Sequence, residues 1–171
     1  VRKGIIDHSD SLGAAARFGR GDVQWLTAGG GIQHSEMFPL LDQDRPNPLE
    51  LFQIWLNLPA ADKMVDAHFT MFWDEDVPRV VDGPEDGPRT TVTVIAGRLG
   101  DVEAPAPPPA SYASDADADI AIWHVVLEPG ATWTMPAAAG PDSVRTLYVF
   151  DGEGSLRVAG HDGDLGRDTG A

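Results

Sequence analysis

Apolar and polar positions alternate over short stretches of the chain and are interrupted by Gly, Pro and Asp, with few runs that could sustain a helical period. This pattern predicts short β-strands joined by turns. Ile5-Ile6 reads as a strand entering a polar turn over residues 7–13, because Asp and Ser bond their own backbone and Gly accepts positive φ. A second turn falls at Gly19-Arg20-Gly21-Asp22. It leads into a strand over 23–26, a small-residue corner over 27–31 and another strand over 32–37. Residues 49–58 form the longest strand candidate, with Phe52, Ile54, Leu56 and Leu58 on one face and Leu51, Gln53, Trp55 and Asn57 on the other. Residues 59–71 read as one helical turn or a connector.

The acidic, proline-ended link Asp74-Glu75-Asp76-Val77-Pro78 suggests a boundary, giving an N-terminal region of residues 1–76 and a C-terminal region of residues 77–171. In the C-terminal region, 91–96 is a β-branched strand ending at Gly97, and 104–110 is too rich in proline for anything but an exposed loop. Further strands are expected over 120–127, 132–135 and 145–150. The tail 161–171 shows no clear closing strand and reads as a frayed end or as the point where a longer protein was cut. The expected fold class is all-β.

Composition narrows the function classes. With 171 residues and 42% apolar content the chain can bury a core as one domain or two small ones. A formal charge of −15, spread over both regions, disfavours direct nucleic-acid binding. Cysteine is absent, which removes disulfides, thiolate metal sites and a catalytic thiol. No apolar run approaches the roughly 20 residues of a membrane span, so no membrane role is expected. A cytoplasmic location is the default, with a nuclear one the alternative.

The sharpest chemical feature is His34-Ser35-Glu36. Side chains two apart on a strand share a face, so an imidazole and a carboxylate there can chelate one metal ion. On spacing alone the pair is more often a surface or core polar pair than a ligand pair, and a stable site needs at least a third protein group. The remaining histidines, His8, His68, His124 and His161, read as turn, surface or core residues. Gly29-Gly30-Gly31 lacks the following helix and Lys of a phosphate cradle and reads as a tight β corner. The five tryptophans read mainly as core, with Trp25 and Trp55 the candidates for stacking on a planar substrate. Asp115-Ala116-Asp117-Ala118-Asp119 lacks the glycine and terminal glutamate of a calcium loop and reads as a solvated turn. Ser9, Ser35 and Ser111 have no nucleophile-elbow context.

The run from Gly21 to Met37, GDVQWLTAGGGIQHSEM, closely resembles the signature of the pirin family within the cupin superfamily. The resemblance continues through Leu51–Pro59 and through Asp62-Lys63-Met64-Val65-Asp66, and more loosely through 91–97, 127–131 and 148–152. It implies two cupin barrels: residues 1–76 the metal-site side, without its upstream strands, and residues 77–171 a degenerate cupin truncated at its end. In pirins one iron is held by three histidines and one glutamate. His34 and Glu36 match the later histidine and the glutamate, and the family's His-x-His pair belongs upstream of Val1.

The resemblance carries two functional expectations. One is an iron-dependent dioxygenase, of the quercetin 2,3-dioxygenase type, that cleaves a planar flavonol with dioxygen and releases carbon monoxide. Glu36 would there be both ligand and acceptor of the substrate hydroxyl proton, with Fe(II) as cofactor. The other is a metal-dependent regulatory pirin of the transcriptional-cofactor type, without turnover, whose acidic surface favours a basic protein partner.

Overall fold

The computed structural model describes residues 1–160, 164–167 and 169–170. They form two compact units, Val1–Ala137 and Ala138–Ala171. The protein is all-β: the only helical segments among the described residues are 3-10 turns at Ala60–Asp62, Tyr112–Ser114 and Ala116–Ala118.

The strands of the first unit are β1 (Ile5–Asp10), β2 (Ala15–Gly19), β3 (Val23–Thr27), β4 (His34–Met37), β5 (His68–Phe72), β6 (Arg79–Asp82), β7 (Thr90–Ala96), β8 (Arg98–Leu99), β9 (Val102–Glu103) and β10 (Ile122–Leu127). They pair antiparallel as β2-β1-β4, β3-β5, β10-β7-β6 and β8-β9. The second unit contains β11 (Tyr148–Val149), β12 (Leu156–Arg157), β13 (Asp164–Leu165) and β14 (Thr169–Gly170), paired β11-β14 and β12-β13.

Two apolar centres organise the first unit. Alternation puts Ile6 on one face of β1, and its cross-strand partner Phe18 on β2 shares that face; both are buried. The second centre is on β7, where Thr90, Val92, Val94 and Ala96 are all buried and Thr91, Thr93 and Ile95 are half-buried. Val92, Val94 and Leu99 pack there with Val80, Val102, Val125, Trp123 and Trp133. Trp123 and Trp133 meet edge to face, 5.9 Å between ring centres.

Several expected elements differ. The first strand does not stop at Ile6: β1 continues through His8 to Asp10, and only Ser11–Gly13 turn. Asp10 makes that turn, its Oδ1 accepting from the amides of Leu12 and Ala14 at 2.9 and 3.1 Å, with Gly13 at φ +86°. Residues 49–58 are not a strand. Glu50 alone bridges to Lys3, and the alternating run beyond it lies extended outside the described ladders, because a period of two supplies a face and not a partner. Residues 132–135 form no ladder either, and the strand expected over 145–150 contracts to Tyr148–Val149. The tail, expected to fray, supplies two short strands, β13 and β14. The predicted glycine corner is present, with Gly29 and Gly31 at φ +51° and +133° and the Gly31 amide donating to the Ala28 carbonyl at 2.9 Å. Residues 104–110 form a loop, partly buried at Pro108.

Candidate metal centre

β1 is the middle strand of its sheet, and its ladder with β4 sets His8 opposite Glu36 and Asp10 opposite His34. Directly opposed residues share a face, as do residues two apart on a strand. His8, Asp10, His34 and Glu36 therefore form a two-by-two block of chemistry-bearing side chains on one face. That face also carries Ile6 and Phe18, so the block lies beside an apolar floor.

The block is graded in exposure. The side chains of His8 and Asp10 are fully buried, at 0% exposure each, whereas those of His34 and Glu36 on the edge strand are 37% and 27% exposed. His8 Nδ1 lies 3.9 Å from Glu36 Oε1, and His34 Nδ1 lies 4.0 Å from the same oxygen. One donor atom from each of His8, His34 and Glu36 lies within 4.8 Å of the others. The two imidazoles are 5.6 Å apart between centres. Phe69 of β5 stacks on the His8 ring at 4.6 Å and 10°, covering one ring face.

The far edge of His8 is occupied. Its Nε2 lies 3.0 Å from Asp10 Oδ2. Burial of Asp10 opposes its ionisation, but the hydrogen bonds from His8, Ala14 and Leu12 outweigh that and hold the carboxyl below the usual aspartate range. An ionised carboxylate only accepts, so the proton is assigned to Nε2, which donates to it. In a neutral ring the lone pair is then on Nδ1. It is buried and has no hydrogen-bond partner. Two imidazoles and a carboxylate are a donor set suited to a divalent transition metal, and an orphaned ring nitrogen facing a carboxylate is what such an ion would satisfy.

Of the residues expected from sequence, His34 and Glu36 are together on β4 as their spacing requires. His8, expected in a turn, stands beside them on β1. The sequence signal for it is His8-Ser9-Asp10, which repeats the spacing of His34-Ser35-Glu36. His68 starts β5 opposite Thr27 and is exposed, and His124 is in β10 opposite Thr93. Neither belongs to the three-residue group. His161 lies outside the described residues. Trp25 is half-buried against Phe72, 6.0 Å between ring centres, whereas Trp55 is 87% exposed. The acidic run 115–119 is a 3-10 turn in which the Asp115 carboxylate accepts from the Asp117 amide at 2.9 Å.

Comparison with known proteins relates this chain to a family. Residues 1–56 match the model of the Pirin family. A Pseudomonas aeruginosa protein provisionally named a quercetin 2,3-dioxygenase is 38% identical over 158 residues, which is 92% of this chain and 50% of that protein. A pirin-like protein of Caulobacter vibrioides is 36% identical over 160 residues, 94% of this chain and 51% of that one. Human Pirin is 36% identical over 94 residues, 55% of this chain and 29% of that protein. The chain spans about half the length of the first two of these relatives. In three dimensions, quercetin 2,3-dioxygenase of Acinetobacter baumannii superposes with a TM-score of 0.52 and 32% identity, over 60% of this chain and 34% of that one. With the signature run 21–37 folded into β3, the glycine corner and β4, with residues 1–56 matched by the Pirin family model and a pirin-like relative matched over 94% of the chain, the family to which this chain is similar is the pirin family of the cupin superfamily.

Proposed function

We propose that the protein is an iron-dependent dioxygenase that cleaves a flavonol such as quercetin, with His34 and Glu36 among the ligands of an Fe(II) ion. The observation that carries this reading is the convergence of His8, His34 and Glu36 on one point of the β1–β4 face. The resemblance to quercetin 2,3-dioxygenases supports the substrate class. On the same reading, residues 1–76 are the metal-bearing cupin and residues 77–171 a degenerate one.

Each residue has a task that its position allows. Glu36 sits at the exposed edge of the block, where one oxygen can bind the ion while the other accepts the proton of an enol hydroxyl. His34, the more exposed of the two, contributes an imidazole nitrogen ligand. Ile6 and Phe18, both buried, back the polar block with an apolar floor, and Phe69 covers one face of the His8 ring. Bound Fe(II) would supply Lewis acidity and a one-electron route to dioxygen.

The test is oxygen uptake with quercetin by Fe(II)-loaded protein, with iron content measured on the same samples. Glu36→Gln is expected to lower uptake by at least about 100-fold, the scale of a lost general base, with a smaller loss of iron. Equal losses would reduce Glu36 to a ligand.

A second reading, a metal-dependent regulatory protein without turnover, is favoured by one feature. Leu40, Leu41, Ile54 and Trp55 are exposed on a chain of charge −15, a surface suited to an amphipathic basic partner. Iron binding without oxygen uptake across several flavonols would select it.

A further inference from the structure

Asp151 and Gly152 follow the short strand β11, and both are exposed. The Gly152 amide donates to Oδ1 of the carboxylate before it at 2.9 Å. We propose that this Asp-Gly step is a site of spontaneous backbone modification, at which Asp151 cyclises onto the Gly152 nitrogen and reopens as isoaspartate.

The chemistry is an intramolecular acyl transfer. The Gly152 nitrogen attacks Cγ of Asp151, an N–Cγ bond forms and the amide proton is lost. One carboxyl oxygen leaves as water, taking that proton and one from solvent, and a five-membered succinimide remains. Water then adds to one of the two imide carbonyls. Opening at the side-chain carbonyl restores aspartate. Opening at the main-chain carbonyl routes the chain through Cβ, frees the α-carboxylate and returns the solvent proton. The net charge is unchanged, and the connection from β11 to β12 is longer by one methylene.

Geometry limits such a reaction, because the nitrogen and the carboxyl carbon must be held within reach of each other. At Asp151 the hydrogen bond already holds the carboxyl group against the nitrogen that attacks it. Gly152 is at φ +111°, and no atom beyond its chain neighbours lies within 4 Å of the place a Cβ would take. The absent side chain leaves ring closure unobstructed, and the open surroundings admit the water that completes the reaction.

Two further Asp-Gly steps among the described residues lack this arrangement and serve as internal controls. Asp82, Gly83 and Asp86 are exposed as well, so access to solvent does not separate the steps. Asp82 ends β6 opposite Thr90, where the ladder keeps the backbone extended and the side chain stands away from it. After Asp86, the Gly87 amide donates to the Pro84 carbonyl at 3.4 Å. Of the three glycine amides, Gly152 alone among the described residues donates to the carboxylate before it.

The experiment incubates the folded 171-residue chain at neutral pH in oxygen-18 water and digests it with trypsin in ordinary water. Each succinimide that hydrolyses carries one oxygen-18 into its product, so mass spectrometry counts ring openings in either direction. Peptide 146–157 contains Asp151 and no other Asp, and peptide 80–89 contains both control steps. Isoaspartate in each is counted by methyl transfer from S-adenosylmethionine with an isoaspartyl-specific carboxyl methyltransferase. Label in 146–157 should exceed that in 80–89 by at least about 10-fold, with isoaspartate accumulating alongside it. In urea, where the geometry is gone, the two peptides should label at similar rates. Asp151→Glu keeps the charge but needs a six-membered ring, and should abolish label in 146–157 of the folded chain. Equal labelling of the two peptides in the folded chain, a ratio unchanged by urea, label without isoaspartate, or label that persists in the Asp151→Glu protein overturns the proposal.

Discussion

His8 and Glu36 are direct cross-strand partners in the β1–β4 ladder, with Nδ1 and Oε1 3.9 Å apart. The register of one ladder therefore decides whether a site exists. A slip of one residue would turn His34 and Glu36 to the opposite face and bring Ser35 into the block. Burial of Ile6 and Phe18 fixes which face of β1 points inward, and the glycine corner between β3 and β4 fixes where β4 begins.

That corner makes the first prediction. Gly29 has φ +51°, and a Cβ there would overlap the carbonyl oxygen of Val65, to which the Gly30 amide donates at 2.9 Å. Gly29→Ala combines left-handed strain with a backbone clash and is expected to destabilise the protein by about 1–3 kcal/mol. Urea denaturation should show a lower midpoint with an unchanged slope, and metal affinity should fall as β4 shifts. An unchanged midpoint would mean that the corner relaxes without resistance.

The second prediction concerns the acid limb of stability. Glu50 ties the start of the extended run to the N-terminus through ion pairs with Lys3, at 3.0 Å, and Arg2. The Lys3 hydrogen bond, outweighing partial desolvation and joined by the charges of Arg2 and Lys3, holds its carboxyl below the ordinary value of 4.5. A depressed folded pKa means that the unfolded chain binds the proton more readily, so this contribution is complete above 4.5 and is lost as pH falls through the folded value. Glu50→Gln should lower the urea midpoint at pH 7 and leave it closer to the parent at pH 3. A constant difference between the two proteins across that range would sink the ion-pair account.

Much of this architecture is legible in the sequence, and the missing elements share one cause. His34 and Glu36 can be read because both lie on one strand, where spacing alone puts them on one face. His8 cannot, because its partnership with Glu36 is a pairing across 28 residues of chain. The composition Asp-His-Ser-Asp-Ser-Leu-Gly also reads locally as a turn, and Asp10 does turn the chain, but from the end of a strand that carries His8. Residues 49–58 show the converse: their alternation is real, yet no ladder among the described residues takes them in. Trp123 and Trp133 pack against Val92 and Val94 as large apolar residues in a β protein should, whereas the exposure of Trp55 follows from its unladdered run.

A third prediction separates neutral-pH behaviour from the acid limb. His124, half-buried in β10, has its pKa lowered from 6.5, first by desolvation and then by the positive charges of Arg2 and Arg79, against a smaller opposing effect of Glu50. The folded state binds its proton less readily than the unfolded chain. Stability from this group is therefore complete above 6.5 and declines as pH falls through the folded value. His124→Gln should flatten the dependence of melting temperature on pH between about 5 and 7. An unaltered slope would assign that dependence to another histidine.

The last prediction follows from the apolar residues between β4 and β5. Trp55 is 87% exposed and Leu40 71%, with Leu41 and Ile54 more than half exposed, and β4 itself is the outer strand of its sheet. Apolar surface beside an unpaired strand edge favours association, while a net charge of −15 on each copy opposes it. The two effects respond differently to salt. At about 0.15 M the Debye length is near 8 Å and repulsion between copies is largely screened, whereas apolar attraction is not weakened. The mass measured by light scattering should thus rise with protein concentration, and more steeply in salt than without it. Leu40→Ser combined with Trp55→Ser removes apolar area without altering charge and should hold the protein monomeric in both conditions. If the parent chain is already monomeric in salt at high concentration, the exposed run does not drive self-association; if the double variant associates as strongly as the parent, the contact lies elsewhere on the surface.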